Sequence, residues 1–392
     1  DNRSVRGYVL KLDESSPVLT YESLGIDSLR LYWPKSKYRA KYTLRNSHSI
    51  IFQSYNDTSF TVVHPGIGNS VYYVLNTVPT QFDWLDYKYY DSSSRKECVI
   101  GNLFLSSGSS RYGYNPVEKV VYANNGTGYE IDCYDVTTMQ RKNHRSISNI
   151  IYYGFYSCPN NSTKVAVLAM DYIYVFENSN LTNPVLIPFS CVGKMLCNFS
   201  MTDNGLIGIT YTTQTTQYDL IRISDKSIIA SIPLNETPYY QGPTGCSTSN
   251  DGKYYNVVTH NGLFLYKIEN GIYSQIYHDN RAYTSTLFNP KNPNELLVSL
   301  YDSNIIELRN SSDFSLIRTF VMPDNANIIR NIDPCTGYLF LINSKKSYLL
   351  DLTTSKTSFE MNAGGANPLC FYQNIMYTPN GYYQDISNYI KK

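Results

Sequence analysis

Tyr152 and Tyr153, Lys194, Tyr239 and Tyr240, Arg281 and Tyr283, Asn327 and Arg330, and Asn367 recur at intervals of 40 to 46 residues. These residue types suit sugar recognition, because aromatic faces cover apolar ring faces and amides bond hydroxyls. They equally suit a protein hot spot, where Tyr and Arg are enriched. The plainer alternative is that several of these tyrosines only pack between structural units. Hydrolysis of a glycan would need paired carboxylates about 5 to 10 Å apart, for which Asp279, Asp324 and Asp333 are the acidic candidates. No nucleophile elbow, P-loop, HExxH, EF-hand loop or GxGxxG stands out. Asn250-Asp251-Gly252 and Asp203-Asn204-Gly205 read as tight turns, and Gly364-Gly365 as a connection. No metal or cofactor is expected.

The elements that must position these residues are strands. Short runs rich in Val, Ile, Tyr and Thr, such as Asp171-Tyr172-Ile173-Tyr174-Val175-Phe176, alternate with Asn, Asp, Gly, Ser and Pro clusters, and helical periodicity is nearly absent. After residue 82 a repeat emerges. Its anchors are Tyr114, Tyr156, Phe199, Cys246, Phe288, Ile332 and Phe371, at successive differences of 42, 43, 47, 42, 44 and 39. Most are followed by a polar turn, an apolar strand and a further strand. A four-stranded unit cannot bury both faces alone, but seven in a radial array cover one another. The repeat resembles a seven-bladed β-propeller of the WD40-like or YVTN-like kind, although the Trp-Asp dipeptide is absent from the repeat ends. The resemblance implies that the connections leading into the innermost strands, which carry the residues named first, gather at one mouth. The seventh unit has too few strands, so Trp84–Tyr90 is expected to supply its outer strand and Cys98–Leu105 to start the first blade.

The first 80 or so residues keep a different rhythm. Leu29, Leu31 and Trp33 fall on one face of a strand that Pro34 ends. Lys41-Tyr42-Thr43-Leu44-Arg45 and Val71-Tyr72-Tyr73-Val74-Leu75 follow. Together they resemble a fibronectin type III sandwich, which implies core roles for Trp33 and Tyr73. The expected organisation is all-β, with a fibronectin type III-like sandwich over 1–82 and a seven-bladed propeller over 83–392, closed by pairing of its terminal strands.

With Lys+Arg 33 against Asp+Glu 32, the formal charge is +1 and only 17% of residues are charged, which excludes a non-specific nucleic-acid binder. No apolar run reaches the length of a membrane-spanning helix. Tyr numbers 39 and Trp 2. The 8 cysteines show no CxxC and no zinc spacing, so free buried thiols are expected, with Cys191–Cys197 the one local disulfide to weigh. Asn-x-Ser/Thr sequons begin at Asn2, Asn56, Asn125, Asn160, Asn161, Asn180, Asn198, Asn235 and Asn310, but so Asn-rich a chain generates several by chance. The domain pairing and composition resemble exported envelope proteins of Gram-negative bacteria, which implies a surface or periplasmic location and a lipid anchor upstream of Asp1. The expected function is non-catalytic recognition of a glycan or protein partner through the propeller mouth. A carbohydrate-active propeller enzyme and a structural scaffold are the alternatives.

Overall fold

The computed structural model describes residues 17–36, 40–46, 49–79, 93–105, 112–124, 130–147, 150–234, 238, 245–325, 327–362 and 370–391. The chain divides into two compact units, Asp1–Ile100 and Gly101–Lys392. The boundary expected after residue 82 falls among residues outside that description.

Unit 1 contains β1 (Thr20–Ser23), β2 (Ser28–Tyr32), β3 (Ala40–Arg45), β4 (Ile50–Ser54), β5 (Ser59–Val63), β6 (Ser70–Pro79) and β7 (Ser93–Val99). They form two antiparallel sheets, ordered β1-β2-β5 and β4-β3-β6-β7. The period-2 pattern dictates their inner faces. Leu29, Leu31 and Trp33 are buried while Arg30 and Tyr32 point outward, and Tyr42, Leu44, Tyr73 and Leu75 bury the facing side. Trp33 lies 5.8 Å from Tyr42 and 6.3 Å from Phe52, and Phe52 stacks on Phe60 at 4.4 Å, so aromatic rings join the two sheets. β7 pairs with β6 through Val71↔Cys98 and Tyr73↔Lys96. Cys98 therefore completes this unit and does not open the first blade.

Unit 2 is a ring of seven four-stranded antiparallel sheets. Six are made of consecutive strands: blade 1 (112–146), blade 2 (150–188), blade 3 (195–234), blade 4 (246–279), blade 5 (283–321) and blade 6 (328–362). Blade 7 takes three strands from 370–385 and its fourth from β8 (Asn102–Leu103). Leu103 pairs with Tyr382 and Asn102 with Tyr383, while the Phe104 and Leu105 amides donate to the Gly381 carbonyl at 3.0 and 3.2 Å. The ring is thus closed by residues 102–105. Trp84–Tyr90, expected in that role, lies outside the described residues, and the outer-strand position it was expected to fill is taken by β8.

The first strand of each blade is innermost, and those of successive blades touch from blade 1 through blade 7. Apolar side chains fill the spaces between blades. Tyr254, Val258 and Leu265 of blade 4, for example, pack against Phe288, Leu296 and Val298 of blade 5. Each such fully buried side chain contributes about 1.5 to 3 kcal/mol. Many of the tyrosines belong to this packing and keep a partner for the hydroxyl. Tyr218 stacks on Tyr255 at 3.8 Å, with their hydroxyls bonded to Thr248 and Thr210.

All eight cysteines are free. The disulfide weighed between Cys191 and Cys197 is not formed. The Cys191 thiol faces the Ala169 carbonyl at 3.4 Å, and that of Cys197 faces the Thr212 hydroxyl and the Met195 carbonyl.

Candidate functional site

The inner strands end around a cavity of about 220 Å³ to which every blade contributes. Blade 1 supplies Tyr112 and Tyr114, blade 2 Cys158 and Asn160, blade 3 Asn198 to Thr202, and blade 4 Ser247, Thr248 and Asn250. Leu287, Phe288 and Pro290 come from blade 5, Asn331 and Ile332 from blade 6, and Tyr372 from blade 7. Several of the repeat anchors (Tyr114, Phe199, Phe288, Ile332) are therefore cavity walls. The lining holds amides, hydroxyls and aromatic rings, and none of its residues is Asp, Glu, His, Lys or Arg.

Turn residues cross the hub at this C-terminal mouth. The Asn160 and Asn250 side-chain amides both donate to the Pro290 carbonyl, at 3.2 and 2.6 Å. Asn160 follows the inner strand of blade 2 and Pro290 that of blade 5, three blades on, so the first bond spans the axis. Asn331 is also engaged, donating to the Phe371 carbonyl and accepting its amide at 2.8 and 3.1 Å. Tyr114 stacks on Tyr372 with ring centroids 4.7 Å apart. The Cys158 thiol is pushed well above its ordinary pKa by burial and by neighbouring Cys133 and Glu118. It is a neutral wall group, not a thiolate nucleophile.

Asn198 differs from the other three amides. Its side chain is 5% exposed and forms no hydrogen bond among the described residues. The bulge at Cys197, where pairing skips from Leu196↔Tyr211 to Asn198↔Thr210, sets which residues follow on each face. Beyond it Phe199 and Met201 enter the apolar cluster between blades 2 and 3, which leaves Asn198 and Ser200 on the opposite face. The Ser200 hydroxyl is buried and has no partner. Gly208 opens space beside it, since a Cβ there would lie 2.6 Å from Thr248 Oγ1, 2.8 Å from Tyr218 Oη and 3.1 Å from Ser200 Oγ.

These features define a β-propeller organised about a neutral, polar hub cavity. No protein-family model matches the sequence, and no curated protein matches it. Among solved structures it is similar to Hsv2 of K. marxianus, with a TM-score of 0.50, 11% identity, and coverage of 70% of this chain and 90% of that one. Hsv2p of Kluyveromyces lactis gives a TM-score of 0.45 at 10% identity, covering 62% and 73%. The likeness is one of fold.

Of the residues first singled out, Lys194, Arg281, Tyr283 and Asn327 lie at the opposite, N-terminal ends of the inner strands, and none of the described ones lines the cavity. Arg281 and Tyr283 meet: the guanidinium lies 5.4 Å from the ring centroid, and both bond Asp279, at 2.7 Å each. Lys194 sits over Phe189 and Tyr211 at 4.1 and 4.3 Å. Asn327 is 1% exposed and donates to the Asp324 carbonyl. Tyr152 and Tyr153 fall in the inner strand Ile150–Ser157, and their side chains lie outside the description. Tyr239, Tyr240 and Asn367 are outside the described residues altogether. Among the described residues no helix is long and apolar enough to cross a membrane.

Two of these groups carry predictions. Burial alone would raise the Asp279 carboxyl, but hydrogen bonds from the Arg281 amide, the Tyr283 hydroxyl and the Arg281 guanidinium outweigh it and hold it at about 2. A carboxyl depressed on folding contributes stability above its unfolded pKa and loses it as pH falls toward the folded value. With Arg281 solvated enough to screen the pair, about 1 kcal/mol should disappear between about pH 4 and pH 2. Urea titrations should show that loss in the wild type and a flatter profile in Asp279→Asn.

Arg330 occupies the bulge between Ile329 and Asn331, and its Nε is buried with no partner. Burial lowers its pKa, opposed only by Cys370. A buried donor left without an acceptor is destabilising. Arg330→Met should therefore raise the unfolding free energy by about 1 kcal/mol; a loss of that size would show that the charge has a partner.

Proposed function

We propose that this chain is a non-catalytic binding protein whose propeller takes a glycan at the hub. The observation that carries the reading is the cavity itself, drawn from seven distant stretches of sequence and walled by neutral hydrogen-bonding and aromatic groups. A sugar offers hydroxyls to the first and apolar ring faces to the second. A protein hot spot is the second reading, but an inward cavity of this size favours one small inserted group over a broad interface.

The carboxylates weighed for catalysis have other tasks. Asp279 is tied to Arg281 and Tyr283, Asp324 accepts the Tyr348 hydroxyl, and Asp333 is a fully buried turn residue. None of them lines the cavity. The β1-β2-β5 and β4-β3-β6-β7 sheet orders support reading unit 1 as a fibronectin type III-like spacer. An envelope or extracellular setting, with a lipid anchor upstream of Asp1, completes the proposal and rests on the resemblance to exported proteins; cell fractionation tests it.

A glycan array probed with the full chain should retain a subset of neutral glycans without releasing product. Retention of no glycan would contradict this reading. Turnover of a retained glycan would move the protein to the enzyme class.

A further inference from the structure

We propose that the hub cavity is a single-sugar subsite in which the Asn198 amide reads a pair of neighbouring hydroxyls of a neutral pyranose-sized polyol. The inference rests on the glycan-binding reading and names the ligand class of that same site.

Four side-chain amides border the cavity, and three of them are occupied. Asn160 and Asn250 hold Pro290, and Asn331 is locked to the backbone of Phe371. Asn198 alone is without a partner among the described residues, although it is 95% buried. Neither amide atom is closed off from the cavity it lines, so a ligand there can reach both. An amide presents a donor and an acceptor side by side, which matches two adjacent hydroxyls, one accepting from Nδ2 and one donating to Oδ1.

Ser200 is two residues along the same strand, but its hydroxyl is fully buried and out of a ligand's reach, so on this strand the Asn198 amide is the polar group a ligand would meet. Phe199 and Phe288 supply apolar surface, and so do the stacked Tyr114 and Tyr372. The volume of about 220 Å³ falls below the usual range for drug-sized ligands, which favours one ring over an oligosaccharide. With no Lys, Arg or His in the lining, no positive charge there would offset the desolvation of a carboxylate or phosphate.

The test is isothermal titration of the full chain with methyl glycosides of neutral hexoses and with the matching uronates. A neutral glycoside should bind, the uronates should bind at least tenfold more weakly, and Asn198→Ala should weaken binding at least tenfold. Arg281→Ala, at the opposite mouth, should leave affinity unchanged. Thermal melts separate this from a structural role: Asn198→Ala should melt at the wild-type temperature, because the amide holds no other described residue in place. A fall in melting temperature, unaltered affinity in Asn198→Ala, or preferential uronate binding would overturn the proposal. So would a hub that holds only ordered water at saturating glycoside. If the array still retains glycans in any of these cases, the broader reading stands and only the subsite assignment falls; if the array retains none, both fall.

Discussion

Gly381→Ala should destabilise the propeller by about 3 kcal/mol, the largest effect expected from any single added methyl group described here. Gly381 has φ +77°, where alanine is disfavoured by about 1 kcal/mol. The larger share comes from space. A Cβ would lie 2.1 Å from the Leu105 carbonyl oxygen and 2.7 Å from the Leu105 Cβ, so backbone must move. The backbone in question closes the ring, because the Gly381 carbonyl accepts the amides of Phe104 and Leu105. Gly205→Ala is the control: φ is +72° there but nothing lies within 4 Å. It should cost about 1 kcal/mol. Urea unfolding of the two variants makes the comparison, and equal losses would show that closure does not depend on residues 102–105.

Asp333→Ala should cost a comparable amount, about 3 kcal/mol. The side chain is 0% exposed. Its oxygens accept the Cys335 and Thr336 amides at 3.1 and 3.3 Å, the Thr336 hydroxyl at 2.7 Å, and the Gln373 amide at 3.0 Å. The last of these reaches from the blade 6 turn to the blade 7 hairpin. Alanine strands donors on two blades at once, whereas Asp333→Asn keeps some acceptor capacity and should lose less. Chemical denaturation orders the three proteins, and an Asp333→Ala variant as stable as the wild type would return this carboxylate to the list of catalytic candidates.

Most of the architecture was legible because strand alternation and repeat spacing are local signals. Leu29, Leu31 and Trp33 declare one buried face within five residues, and the anchors from Tyr114 to Phe371 mark each inner strand. Ring closure was harder to read. Asn102–Leu103 is only two residues long and carries no alternation, so the more aromatic stretch Trp84–Tyr90 drew attention instead. The hub cavity was hard to read for a related reason. Arg281, Tyr283 and Asn327 have the residue types of a recognition surface, yet their partners Asp279 and Asp324 are close in sequence and already hold them. Asn160 and Asn250 sit in turns after anchors, where Asn is ordinary, Asn331 sits at a strand bulge beside Ile332, and only the closed ring brings them around one cavity. The special status of Asn198 depends on a bulge one residue earlier, which no pattern of residue types announces.

The most direct test of the central claim is a crystal structure of the full chain soaked with a neutral methyl glycoside that it retains. The account predicts one sugar ring in the C-terminal mouth of the hub, within hydrogen-bonding distance of the Asn198 amide and against Phe288 or Tyr114. A sugar seated instead at Arg281 and Tyr283, or on the outer edges of the blades, would contradict it.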